Sequence, residues 1–191
     1  KELFNSISAF TMVINAKDRY TYGHSLRVME LAKTLSLRLE LSAELIQEIT
    51  LGALLHDIGK VEISREVLNK PNKLNTVEWD IFRQHPVWGA GIIDPLKSLR
   101  GVKEIVLYHH ENYDGTGYPE GISGDSIPLG ARILRILDSY DAMTTDRPYK
   151  LAMSLDQALE ELDRYSGAHY DPEILLEFKL MMWQNREAGI I

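Results

Sequence analysis

The sequence predicts an all-α fold, on three observations. Apolar residues recur every three or four positions over most of the chain, and helix-capping residues stand in front of several of those runs. No stretch alternates polar and apolar residues as a half-buried strand would, and no internal repeat or low-complexity segment interrupts the pattern.

In chain order, Ile7, Phe10, Met12, Val13 and Ile14 predict a helix over Phe4–Lys17. Residues 1–17 are set apart as a segment that could end a linker from an upstream domain, or pair two chains as a homodimer; residues 18–191 form the domain proper. After a break at 18–23, His24 opens a helix whose apolar stripe runs through Val28, Leu31, Ala32, Leu35 and Leu39, so that His24 points inward. Ser42 is the expected N-cap of a third helix, through Leu45, Ile49 and Ala53 to His56-Asp57, where Gly59 stops it. Thr76 is expected to cap a short helix that halts at His85-Pro86, and another follows from Val87 to Ile93. Val102, Ile105 and Val106 set a stripe that continues to His109. Residues 114–128 carry Gly115, Gly117, Gly121, Gly124 and Pro119, too broken for a regular element and long for a connection, a length that tends to be functional. Helix returns over Leu129–Thr144, with Asp138 and Asp141 three apart on one face. Ser154 with Gln157 predicts a capping box for a helix to Tyr165, and Asp171-Pro172 starts the last one, to about Asn185.

Composition narrows the chemistry. The 191 residues, 45% of them hydrophobic, suffice for one ordinary core. No apolar run reaches membrane-spanning length and the first residues lack the shape of a secretory signal, so a cytoplasmic domain without membrane contact is expected. A net charge of −7 argues against a nucleic-acid polymer as partner. With no cysteine, any metal must be held by His, Asp and Glu, a donor set that suits Fe or Mn, with Zn or Mg behind them, rather than a cysteine-based structural zinc.

Five of the six histidines, His24, His56, His85, His109 and His110, fall at helix ends or on inward faces. Singly, each would more often be a hydrogen-bonded core residue. Together with Asp57 and Asp138 they make seven polar groups in apolar surroundings, which a shared metal site would satisfy at once. Seven donors exceed one ion's ordinary coordination when water must also bind, so two ions fit the count better.

The motifs GHS (23–25), HDIGK (56–60), QHP (84–86), HHENYDGTGYP (109–119) and DSYDAMTTDRPY (138–149) resemble, in order, those of the HD-GYP family of bacterial phosphodiesterases, a branch of the HD superfamily of metal-dependent phosphohydrolases. The resemblance covers nearly the whole chain from about Asp18. It implies an HD-type helical bundle with an extra-long Gly-rich GYP loop, and hydrolysis of cyclic di-GMP to linear pGpG and onward to GMP. It also implies two divalent ions, Fe or Mn: one held by His24, His56, Asp57 and Asp138, the other by His85, His109 and His110, with Asp57 bridging. Asp57 and Lys60 are the implied catalytic residues. Lys60 approaches a substrate phosphate, Arg147 and Lys150 hold the dinucleotide, and Tyr118 contacts substrate in a loop that also docks GGDEF-domain proteins. Family members with a third metal carry a glutamate where this chain has Tyr20, so a binuclear site is expected.

The chemistry suits the donors. Two ions would lower the pKa of a bridging water toward neutrality and neutralise phosphate oxygens during in-line attack. Asp141, one turn after Asp138, could orient a ligand or bind Arg147, while His169 reads as structural. Nothing in the sequence reports base recognition, so cyclic GMP-AMP is the alternative substrate. A catalytically weak dinucleotide receptor and a mononucleotide hydrolase are the other readings.

Overall fold

The computed structural model describes residues 23–146 and 151–190. The expected helix over Phe4–Lys17, Tyr20, Arg147 and Lys150 therefore lie outside the described residues. Among those described there is no strand, only an isolated bridge between Ser166 and Tyr170, and the fold is all-α.

Among the described residues nine α-helices follow one another: α1 (His24–Arg38), α2 (Ala43–Leu55), α3 (Arg65–Leu68), α4 (Thr76–Phe82), α5 (His85–Ile93), α6 (Arg100–Tyr108), α7 (Leu129–Thr144), α8 (Leu155–Arg164) and α9 (Pro172–Glu187). Short 3-10 turns occupy Ile58–Glu62, Lys97–Leu99 and Gly124–Ser126. The larger core is built by Val28, Ala32 and Leu35 of α1, Ile49 and Ala53 of α2, Ile133, Leu134 and Leu137 of α7, Leu162 of α8 and Phe178 of α9, all nearly inaccessible to solvent. A smaller cluster joins Leu51 and Leu55 of α2 to Ile93, Val102 and Val106. Helix α2 thus lies between two apolar bodies, which is why its sequence is apolar on most sides. Each fully buried aliphatic side chain contributes roughly 1.5–3 kcal/mol, so α2 is among the best-anchored elements, and His56 and Asp57 follow directly on its end.

Several starts match the capping residues. Ser42 accepts the Leu45 amide, Ser154 and Gln157 form a reciprocal box, and Asp171 accepts the amides of Glu173 and Ile174. Two boundaries differ from expectation. Asn75, not Thr76, caps α4, because its side chain reaches the Glu78 amide while Glu78 reaches back to the Asn75 amide. His85 opens α5 rather than closing α4, since proline tolerates the first turn of a helix, where its missing N–H would have no partner. The 3-10 turn after Asp57 and the one-turn helix α3 carry no sequence periodicity long enough to reveal them.

Candidate metal centre

The five clustered histidines are placed by helix ends. His56 and His109 are the residues that terminate α2 and α6, His24 and His85 open α1 and α5, and His110 follows His109. Three of them share one local device. The Nδ1–H of His56 donates to the Ala53 carbonyl at 2.7 Å, that of His85 to the Phe82 carbonyl at 2.8 Å, and that of His109 to the Val106 carbonyl at 2.7 Å. A carbonyl can only accept, so each Nδ1 keeps a proton, and in the neutral ring it is Nε2 that carries the lone pair into the space between the helices. The two helix C-termini add partial negative charge there.

His24 is set differently. Its Nδ1–H donates to Asp141 Oδ2 at 2.7 Å, while its Nε2 lies 3.2 Å from His56 Nε2 and 3.2 Å from Asp138 Oδ1. Asp141 is itself gripped by Arg27, whose Nε donates to Oδ1 at 2.6 Å and whose Nη2 donates to Oδ2 at 2.8 Å. On sequence alone Asp141 is an orienting group or a partner of Arg147. It orients His24, and its arginine among the described residues is Arg27. The signal was present as Arg27 three residues after His24 and Asp141 three after Asp138, spacings that put each pair on one helix face.

Asp57 joins the halves. Its Oδ2 lies 3.4 Å from His56 Nε2 and its Oδ1 lies 3.4 Å from His85 Nε2, while Lys60 Nζ donates to Oδ2 at 2.7 Å. Two sets of donors result, His24 with His56 and Asp57, and His85 with His109 and His110; within each, the nearest donor atoms all lie within 4.8 Å of one another. Asp138 adjoins the first set. The close approach that puts His85 beside Asp57 depends on Gly59, where a Cβ would fall 1.9 Å from the His85 carbonyl oxygen.

Electrostatics bear on whether these residues suit a metal. Burial, only partly offset by Asp57, lowers the His85 pKa to about 4, and burial together with neighbouring imidazoles holds His109 and His110 well below the usual histidine range. His85 and His109 are therefore neutral, and their Nε2 lone pairs face each other at 3.3 Å. That contact is repulsive unless a cation lies between them. Burial also disfavours the charged form of His24, but hydrogen bonds to Asp138 and Asp141 outweigh it and raise the pKa to about 9; its proton occupies the position a cation would take. Burial pushes the Asp57 and Asp138 carboxyls upward, and the surrounding lysine and imidazoles overcome it and hold both well below the carboxylate range. Donor separations of 3.2–3.4 Å match the edge of a coordination polyhedron with bonds of roughly 2.1 Å. The donors fit divalent metal by charge, tautomer and spacing.

The long loop closes the other side. The His110 ring stacks on Tyr118 with centroids 4.9 Å apart, and the Arg83 guanidinium lies 4.7 Å from the Tyr118 ring centroid. Glu111, also missed in the sequence, accepts the Glu120 and Gly121 amides through Oε1 at 2.7 and 3.0 Å and thereby ties the loop back to α6. Gly117 permits the return, because a Cβ there would lie 2.2 Å from the Asn112 nitrogen. His169 stacks on Tyr165 at 4.6 Å.

A sequence profile described as the HD domain matches residues 8–174. The chain belongs to the HD domain family. A cyclic di-GMP phosphodiesterase of Pseudomonas aeruginosa is 40% identical to this HD domain over 166 residues, 86% of this chain and 40% of that protein. A 3′3′-cGAMP-specific phosphodiesterase of Vibrio cholerae is 36% identical over 173 residues, 91% of this chain and 38% of that protein. The chain thus spans about two fifths of the length of these curated relatives. Among solved structures, a cyclic GMP-AMP specific phosphodiesterase of V. cholerae superposes with a TM-score of 0.71 at 20% identity, over 94% of this chain and 49% of that one, and shares the all-α fold. The motifs read in the sequence are those of the HD-GYP branch. None of the described helices of this HD domain is long and apolar enough to cross a membrane.

The Asp141 arrangement makes a prediction. A carboxylate that orients a ligating histidine typically contributes 10- to 100-fold to metal affinity. Asp141→Asn should weaken divalent-metal binding by about tenfold or more while leaving the helical content unchanged, as measured by metal titration and circular dichroism. Unaltered affinity would mean that Asp141 serves only Arg27 and the Thr145 hydroxyl, which donates to Oδ2 at 3.4 Å.

Proposed function

We propose that this HD domain is a metal-dependent phosphodiesterase that hydrolyses cyclic di-GMP, giving linear pGpG and then GMP, with two divalent ions, Fe or Mn, as cofactors. The observation that carries the reading is the position of Asp57, one oxygen toward each of two sets of imidazoles whose ring nitrogens converge. When bound, two such ions lower the pKa of water toward neutrality and neutralise phosphate oxygens. The chain's own residues supply the rest. His24, His56, Asp57 and Asp138 would hold one ion, and Asp57, His85, His109 and His110 the other. Asp141 and the three backbone carbonyls keep the imidazoles in the ligating tautomer. Lys60, fixed by Asp57, holds positive charge beside the second set for a phosphate oxygen. Tyr118 meets the substrate from the loop, while Arg147 and Lys150 grip the dinucleotide. Hydrolysis adds water across one P–O3′ bond, leaving a 5′-phosphate and a protonated 3′-hydroxyl. GGDEF-domain proteins are the proposed partners of the loop around Tyr118.

Cyclic GMP-AMP is the second reading, favoured by the V. cholerae relative at 36% identity, whose name gives that specificity. Protein purified without oxygen should contain close to two Fe or Mn ions per chain and should cleave one of the two cyclic dinucleotides at least about tenfold more efficiently in kcat/KM, a discrimination of about 1.4 kcal/mol. Binding of either messenger without release of linear product would replace the enzyme by a receptor. Turnover of mononucleotides alone would replace it by a different hydrolase.

A further inference from the structure

Helix α4 has no buried residue, and with its C-cap Arg83 it carries three large side chains that lead outward from His85. Trp79, Phe82 and Arg83 stand at i, i+3 and i+4, which places them on one face. The Trp79 and Phe82 rings are parallel within 7°, with centroids 5.7 Å apart. Phe82 meets the His85 ring edge-on at 5.3 Å, and the Lys60 ammonium lies 5.5 Å from the Phe82 centroid. Trp79 is 45% exposed, which leaves its ring open to a ligand. On the same face, the half-buried Arg83 guanidinium contacts the Tyr118 ring and meets no carboxylate or carbonyl among the described residues.

From this arrangement we infer that the Trp79–Phe82–Arg83 face of α4 is a nucleotide-binding wall: Arg83 holds a substrate phosphate and the Phe82–Trp79 pair stacks on the attached purine. The chemistry matches the distances. A phosphate held at the His85 set lies within a nucleotide's length of both rings, and a guanidinium grips phosphate oxygens through parallel hydrogen bonds. Stacking is available to any base, so the wall supplies affinity without choosing guanine over adenine. Neither Trp79 nor Arg83 provides a metal donor, so both act on the hold of the substrate rather than on the reacting bond. The inference rests on the phosphodiester reading above.

The test uses the Mn-loaded protein and two readouts. In turnover, Trp79→Leu should raise KM for the cyclic dinucleotide about tenfold, equivalent to about 1.4 kcal/mol, with kcat within about twofold. Arg83→Ala should raise KM similarly and also weaken inhibition by inorganic phosphate, which Trp79→Leu leaves unchanged; Arg83→Lys should recover part of the loss. In fluorescence, GMP should quench the parent protein, and the quench should vanish in Trp79→Leu even though Trp88 and Trp183 remain. Metal content and circular dichroism should match the parent in all three variants. Unchanged KM and an unchanged quench in Trp79→Leu would overturn the wall while leaving the phosphodiesterase intact, and would point to a protein partner on that face. Absence of any cyclic dinucleotide cleavage by the parent would overturn the proposed function alone. The GMP quench would then still decide the wall: its loss in Trp79→Leu supports it and its persistence overturns it.

Discussion

Asp57→Asn is expected to abolish cyclic dinucleotide hydrolysis, by at least about 10³-fold, and to reduce bound metal at both sets of donors. The amide has nearly the same shape, so the packing around a side chain that is 6% exposed should persist. What changes is charge and donor strength. One carboxylate faces His56 through Oδ2 and His85 through Oδ1, and it also fixes Lys60 at 2.7 Å. A neutral amide offers a single weaker oxygen, with an N–H₂ that repels cations on the other side. Metal analysis and product assay would be read against Asp94→Asn, an exposed acid paired with Lys103 on the surface, where activity should stay within about twofold because exposed ion pairs contribute little. Full metal content and full turnover in Asp57→Asn would remove the bridging role and the mechanism that depends on it.

Gly59→Ala should damage both stability and the second donor set. An added Cβ would fall 1.9 Å from the His85 carbonyl oxygen, 2.6 Å from the Gly89 nitrogen and 2.9 Å from the His85 carbonyl carbon. All three are backbone atoms, so no rotamer change relieves the contact and α5 must move away from the turn at Ile58–Glu62. Overpacking of this sort costs about 1–3 kcal/mol or more, which for a chain of this size lowers Tm by roughly 3–10 °C. Because His85 travels with its own carbonyl, metal should be lost first from the set with His109 and His110, whereas His24 and His56, on α1 and α2, should retain theirs. Gly91→Ala is the contrast. Its Cβ meets nothing within 4 Å, and alanine is better than glycine in a helix interior by up to about 1 kcal/mol, so that variant should melt no lower than the parent and keep all of its metal. Equal melting temperatures and equal metal content for the two variants would refute the close-approach account of Gly59.

Much of this molecule was legible in one dimension because its signals are local. A helix such as Leu129–Thr144 declares itself through an apolar stripe repeated over four turns, and Ser42, Ser154 and Asp171 mark starts through side-chain chemistry that acts within three residues. Histidines at helix ends and the acids between apolar runs were conspicuous for the same reason, since buried polar groups must be satisfied. Elements of one turn, such as Arg65–Leu68, carry too few residues for periodicity, and the cap of α4 fell on Asn75 rather than Thr76 because the Glu78 side chain reaches back to the Asn75 amide.

The sequence alone determined the helical architecture and the candidate donor set with its lack of thiolates, each a matter of residue type and short-range spacing. The tertiary structure decided which donors face one another, that Asp57 lies between the two groups, that Arg27 and Asp141 steady His24, and that α4 brings Trp79 and Arg83 to the edge of the centre. Those relations join residues up to more than a hundred positions apart. They follow from how two apolar bodies pack on either side of α2, a property of the whole chain that no local stretch encodes.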